Sequence, residues 1–126
     1  MKRLAFVVPI YLLILVAGCG KSLHDPVDPD KASAVLQTAL EAWKQGEAFG
    51  HLQQRTPPIY FNEPEWRAGK KLVDFKAGQV ELMGRQGRCL VKLSLLDREG
   101  KKTEREISYQ IDTTPRVVIA RKHLGL

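Results

Sequence analysis

Residues 88–112 read RCLVKLSLLDREGKKTEREISYQID, and the reading of this stretch decides the fold. Cys89, Val91, Leu93 and Leu95 fall on one side of an alternation, with Lys92 and Ser94 opposite. A period of two with one apolar side is that of a strand burying one face. Asp97-Arg98-Glu99-Gly100-Lys101 supplies turn residues, with Gly100 suited to a positive φ. The alternation then resumes from Lys102 to Ile111. Ile107, Tyr109 and Ile111 are expected inward, and Glu104, Glu106, Ser108 and Gln110 outward. Two such runs joined by a short polar turn predict an antiparallel hairpin.

Downstream, Asp112-Thr113-Thr114-Pro115 reads as a turn, and Arg116 to Arg121 as a last strand with Val117 and Ile119 on one face. Upstream, Gly84-Arg85-Gln86-Gly87 is a turn. Before it, Val73 and Phe75 are expected to share the buried face of a strand, with Leu72, Asp74 and Lys76 opposite, continuing irregularly through Val80 and Leu82. The period differs further back. Ala32, Val35, Leu36, Ala39, Leu40 and Trp43 recur at spacings of three and four, the apolar stripe of a helix predicted over Pro29–Gln45. Asp28 can cap it, Pro29 suits its first position and Gly46 its end. A shorter helical piece is expected over Glu47–Arg55, stopped by Pro57 and Pro58. Asn62 with Glu65 reads as a capping box, and Phe61 with Trp66 as a hydrophobic staple, for one helical turn ending near Gly69.

A helix with one apolar stripe and a meander of about four strands each have a face to bury, and each can bury it on the other. The expectation is an α+β domain over residues 28–126, with the N-terminal helix packed on a curved antiparallel sheet. The chain of 126 residues suffices for one domain, and 44% hydrophobic with 27% charged residues is globular composition. Two cysteines cannot build a disulfide scaffold.

The first residues, MKRLAFVVPIYLLILVAGCG, form a separate unit. Lys2 and Arg3 precede an uncharged run from Leu4 to Val16, shorter than the roughly 20 apolar residues that cross a bilayer as a helix. That is the layout of a secretory signal. Val16-Ala17-Gly18-Cys19 resembles the lipobox of bacterial lipoproteins. The resemblance implies that residues 1–18 are a cleaved signal peptide, that Cys19 is the lipidated first residue of the mature chain, and that residues 19–27 are a tether. Gly20 follows the cysteine, and the family's sorting pattern then favours the outer membrane over the inner in a Gram-negative host. Alkylation of Cys19 would leave Cys89 without an intramolecular partner. Cys89 is expected buried and inert among Val91, Leu93 and Leu95.

The order of elements resembles the α+β rolls of the cystatin and nuclear-transport-factor-2-like class. Ala42-Trp43-Lys44, Trp66-Arg67-Ala68-Gly69, Phe75 and the two hairpins also resemble small secreted bacterial proteins of that shape. Enzymes of the roll class use a carboxylate and a tyrosine in an apolar cone, so the resemblance marks Trp43, Tyr60, Trp66, Asp74 and Tyr109 as candidate pocket residues. Alternation alone places Asp74 outside. No pair among His24, His51, His123 and the cysteines has metal-ligand spacing, and neither a phosphate loop nor a Gly-x-Ser-x-Gly motif occurs. No metal, cofactor or catalytic residue is expected.

Charge is uneven. Cys19 to Gly84 holds 8 basic and 9 acidic residues, whereas Arg85 to Leu126 holds 10 basic and 5 acidic. Export argues against nucleic acid and leaves anionic lipid or cell-wall polymer as partners. Lys92, Arg98, Lys101, Lys102, Arg121 and Lys122 are the candidate contacts. Three roles follow as expectations: a non-catalytic binding or structural module at the cell envelope, a small-ligand or enzymatic roll, and a protein-interaction module using the outer sheet face.

Overall fold

The computed structural model describes residues 27–122. The expected signal peptide with its lipobox-like Val16, Ala17, Gly18 and Cys19, the expected tether up to residue 26, and both His24 and His123 lie outside the described residues.

Helix α1 spans Pro29–Lys44. Asp28 is extended, and its side chain accepts from the Asp30 backbone N–H at 3.0 Å, satisfying one donor the first turn cannot bond internally. The helix buries Ala32, Leu36, Ala39, Leu40, Ala42 and Trp43, and Gly46 follows at φ +89°. The expected second helical piece is one 3-10 turn, His51–Gln54, which buries Leu52.

Among the described residues the sheet has six strands: β1 (Ile59–Asn62), β2 (Lys71–Ala77), β3 (Glu81–Met83), β4 (Gln86–Leu96), β5 (Lys102–Asp112) and β6 (Val117–Arg121). Their order is β1-β6-β5-β4-β2, with β3 paired to the start of β4. Helix α1 packs against β1, β2 and β5 across one face of this curled sheet. The molecule is thus α+β, as the alternations imply, but the sheet is larger than the expected four strands and not wholly antiparallel. The added members are β3, expected only as a continuation of β2, and β1, parallel to β6, with Ile59 beside Val117 and Phe61 beside Ile119. The four residues of β1 are too few to show a period. A parallel partner also needs a long connection, here the whole meander.

Strand β4 behaves as read: Cys89, Val91, Leu93 and Leu95 are all within 1% exposure. Strand β2 does not. Its pairing with β4 slips between Leu72 and Asp74, so Val73 is an extra residue in a bulge. Leu72 is therefore buried and Val73 is 43% exposed, reversing the expected faces at that end, while Phe75 still packs on the core.

Helix α2, Pro64–Arg67, carries a second correction. Its cap is Glu63, not Asn62: the Glu63 carboxylate accepts from the Glu65 backbone N–H at 2.7 Å. The Phe61 and Trp66 rings do meet, edge to face at 5.8 Å.

Candidate functional site

The strand faces explain how charge comes to lie inside. Ile59 and Phe61 point to the core from β1, so the next residue on that line is Glu63. Val117 and Ile119 point to the core from β6, so the next on that line is Arg121. Because β1 and β6 run parallel and in register, the two charges arrive side by side.

Glu63 has no exposure. Its Oε1 accepts from the Tyr109 hydroxyl at 2.5 Å and from Arg121 Nε at 2.9 Å. Its Oε2 accepts from Arg121 Nη2 and from the Glu65 backbone N–H, each at 2.7 Å. A buried carboxylate is tolerable when its lone pairs are filled in this way, and a guanidinium bound through two nitrogens is the strong form of the contact. Arg121 Nη2 also donates to Glu65 Oε2 at 2.8 Å, while Lys70 Nζ donates to Glu65 Oε1 at 2.7 Å and Arg105 Nε lies 3.4 Å from Oε2.

Protonation follows from these contacts. Burial alone would push the Glu65 carboxyl up, but bonds from Lys70 and Arg121 and the charge of Arg105 outweigh it and hold the group below its ordinary 4.5. Burial and the adjoining Glu63 carboxylate push the Tyr109 phenol far above its usual range. Burial works against the charge on Arg121, and its bonds to Glu63 and Glu65 overcome that and raise its pKa. A general acid or base has to reach a substrate proton. Glu63 and Tyr109 are both at 0% exposure and do not reach solvent, whereas Lys70, Arg105 and Arg121 at the margin of the cluster are partly exposed.

Of the candidate pocket residues, Trp43, Trp66 and Tyr109 are buried. The two indoles stack at 5.7 Å with planes 11° apart. Trp43 Nε1 donates to the Lys70 carbonyl at 2.9 Å and Trp66 Nε1 to the Glu47 carbonyl at 3.0 Å. Tyr60 is half-buried beneath Arg116, whose guanidinium lies 5.3 Å from the ring centre. Asp74 does not join them: its side chain is 71% exposed, 3.5 Å from Lys44 Nζ. His51 is exposed, with Nδ1 2.9 Å from Glu47 Oε1. Cys89 is buried, its thiol donates to the Gly78 carbonyl at 3.3 Å, and burial pushes its pKa up.

The candidate cationic contacts do not form one surface. Arg121 is corrected from surface cation to the inward partner of Glu63, which its place after Val117 and Ile119 could have signalled. Lys92 stands opposite Glu106 across the β4–β5 pair. Arg98 packs its guanidinium against Gly69. Lys101 and Lys102 are exposed at the β4–β5 turn, and Lys122 is half-buried.

A separate cleft of about 470 Å³ opens at the other end of the sheet, between the β3–β4 and β5–β6 turns. Arg85, Arg116, Asp112 and Thr114 supply its polar wall, and Val27 and Val118 part of its apolar wall. Asp112 Oδ2 accepts from Gln86 Nε2 at 3.5 Å. None of the cleft residues was singled out as a candidate from the sequence, because they converge from three segments distant along the chain. Among the described residues no cluster of His, Cys, Asp and Glu could hold a metal ion, and no helix is long and apolar enough to cross a membrane. Comparison with protein-family models, with curated proteins and with solved structures gave no match in any of the three.

Proposed function

We propose that this protein is a bacterial lipoprotein, held at the cell envelope by a lipid on Cys19, whose domain is a non-catalytic binding or structural module. The observation that carries the reading is Val16-Ala17-Gly18-Cys19, placed after a basic start and an apolar run. Each buried acyl CH₂ contributes about 0.8 kcal/mol, so two or more chains anchor firmly. We read the helix on its curled sheet as a roll of the cystatin or nuclear-transport-factor-2-like kind.

The non-catalytic part draws support from where the acids and tyrosines lie. Asp74 is in solvent beside Lys44, and Tyr109 is bonded to a carboxylate that Arg121 already neutralises. The outer sheet face gives little support to a protein-interaction module. Leu90, at 51% exposure, stands between Arg88 and Lys92 along β4 and opposite Ser108 on β5, an isolated apolar residue among polar neighbours.

Intact mass of the processed chain and its partitioning between detergent and water test the anchor. A mature chain that starts at Cys19 with added acyl mass, and loss of detergent partitioning in Cys19→Ser, are expected. A different N-terminus, or partitioning unchanged by Cys19→Ser, refutes it.

A further inference from the structure

We propose that α2 is an acid-released latch: a proton on Glu65 frees residues 64–69 from the sheet and uncovers Trp66, while α1 and the β4–β5 hairpin stay folded.

The backbone lets this segment move as a unit. Its backbone hydrogen bonds stay within residues 63–70, where the N–H groups of Arg67, Ala68, Gly69 and Lys70 donate to the carbonyls of Glu63, Pro64, Trp66 and Glu65. A helix of four residues does not hold itself in place. Among the described residues, side chains therefore dock it. Trp66 stacks on Trp43 and donates Nε1 to the Glu47 carbonyl. Arg67 Nη2 donates to Asn62 Oδ1 at 3.2 Å, and its guanidinium lies 5.1 Å from the Phe49 ring centre. Gly69, at φ +93°, is the joint to β2.

Glu65 supplies the charged part of the docking. Its Oε2 accepts from Arg121 of β6 at 2.8 Å and faces Arg105 Nε of β5 at 3.4 Å, and its Oε1 accepts from Lys70 at 2.7 Å. The neighbouring acid, Glu63 at the end of β1, is bonded to Arg121 and to Tyr109 of β5. Glu47 turns its carboxylate toward His51 and Arg55. A proton on Glu65 takes away the acceptor that Lys70, Arg105 and Arg121 share. The three cations then face one another across a neutral carboxyl. Arg121 keeps its bonds to Glu63, so the β1–β6 seam remains closed.

The sign follows from the same contacts. Burial opposes the charge on Glu65, yet its cations hold the carboxyl below its ordinary 4.5 while the latch is closed. Release returns the group toward 4.5, so protons favour the open form as pH falls below that value. The movement has a definite product. Trp66 is one wall of a groove of about 260 Å³ that Trp43 and Phe49 also line, and its departure turns that groove into an open aromatic surface.

The test follows Trp43 and Trp66, the two tryptophans, in the full chain between pH 7 and pH 3. Acrylamide quenching and the emission maximum report the indoles, and far-UV circular dichroism of the same samples reports the strands. Below pH 4.5 quenching should rise and emission should move to longer wavelength while the strand signal holds. Arg105→Gln removes one cation and should raise the midpoint by about one pH unit. Asp74→Asn should leave it in place. Glu65→Gln should be quenched at pH 7 as the parent is in acid, with no further step. Tryptophan exposure that arrives only together with loss of the strand signal would overturn the proposal. So would an Arg105→Gln midpoint no different from that of Asp74→Asn, or a folded Glu65→Gln chain whose tryptophans stay shielded at pH 7. Should Glu65→Gln fail to fold, the Arg105→Gln midpoint decides alone.

Discussion

Glu63 shows how much one residue can conceal. It stands between Asn62, the expected cap, and Pro64, and the sequence pattern marks it for no role. It is instead fully buried, and it ties Tyr109 and Arg121 to α2. Removing one partner of a buried ion pair leaves the other uncompensated, so Glu63→Ala should lower stability by about 3 kcal/mol in urea unfolding. Tyr109→Phe keeps the ring and the ion pair and should cost about 1 kcal/mol. Asp74→Asn, in solvent, should stay within about 0.5 kcal/mol of the parent. A Glu63→Ala chain as stable as the parent would remove the cluster from the account of the fold.

The same cluster sets a pH response at each extreme. Glu65 is held below its ordinary 4.5 in the folded state, so the unfolded chain binds its proton first. Its contribution is full above about 4.5 and is lost as pH falls through the depressed folded value. Tyr109 runs the other way. Its folded pKa is raised, so its contribution is full below the ordinary 10 and declines as pH rises beyond it. Glu65→Gln should flatten the acid limb of a stability profile. Phenolate absorbance from Tyr109 should appear only together with unfolding.

At the scale of elements, helix α1 and the β4–β5 hairpin were legible because each is long enough to repeat its period several times. Strand β1 was not, since four residues give two inward positions and neighbouring prolines suggest a stop. The β2 bulge was equally hidden, because one extra residue inverts a face without altering composition. Alternation did hold the clue to the cluster: Ile59 and Phe61 point on to Glu63, and Val117 and Ile119 to Arg121. The charge at the end of each run marks the pair that closes the core. Gly69 offers an element-scale test. Its φ is +93°, and an added Cβ would lie 3.1 Å from Arg98 Nη2. Gly69→Ala should therefore destabilise the α2–β2 connection by about 1–2 kcal/mol, measured by thermal unfolding.

On the scale of the molecule, the candidate site was the least legible part, since the cleft is assembled from segments that the sequence keeps apart. Sequence charge pointed to the β4–β5 turn, and topology puts that turn at the end away from Val27. An anchored domain should thus hold its cleft toward the lipid and Lys101 away from it. With the processed protein on vesicles, a fluorophore at Thr114→Cys should be quenched by a headgroup quencher more strongly than one at Lys101→Cys. Equal quenching would mean that the tether lets the domain tumble. Cys89, buried with its thiol raised, should not compete for either label.

The parallel pairing of β1 with β6 has a consequence in time. Ile59 and Val117 are neighbours in space, yet every other strand lies between them along the chain. Closing so long a loop costs entropy that only the finished meander can offset. We therefore expect the β2–β5 meander and α1 to assemble first and the β1–β6 seam last. A chain emerging from an export channel would hold Glu63 without its arginine until the last strand is through. Truncation before Val117 should leave a species with α1 and the hairpin formed but with β1 exposed. Pulsed hydrogen exchange during refolding should show protection at 88–111 before it appears at 59–62, and simultaneous protection would reject this order.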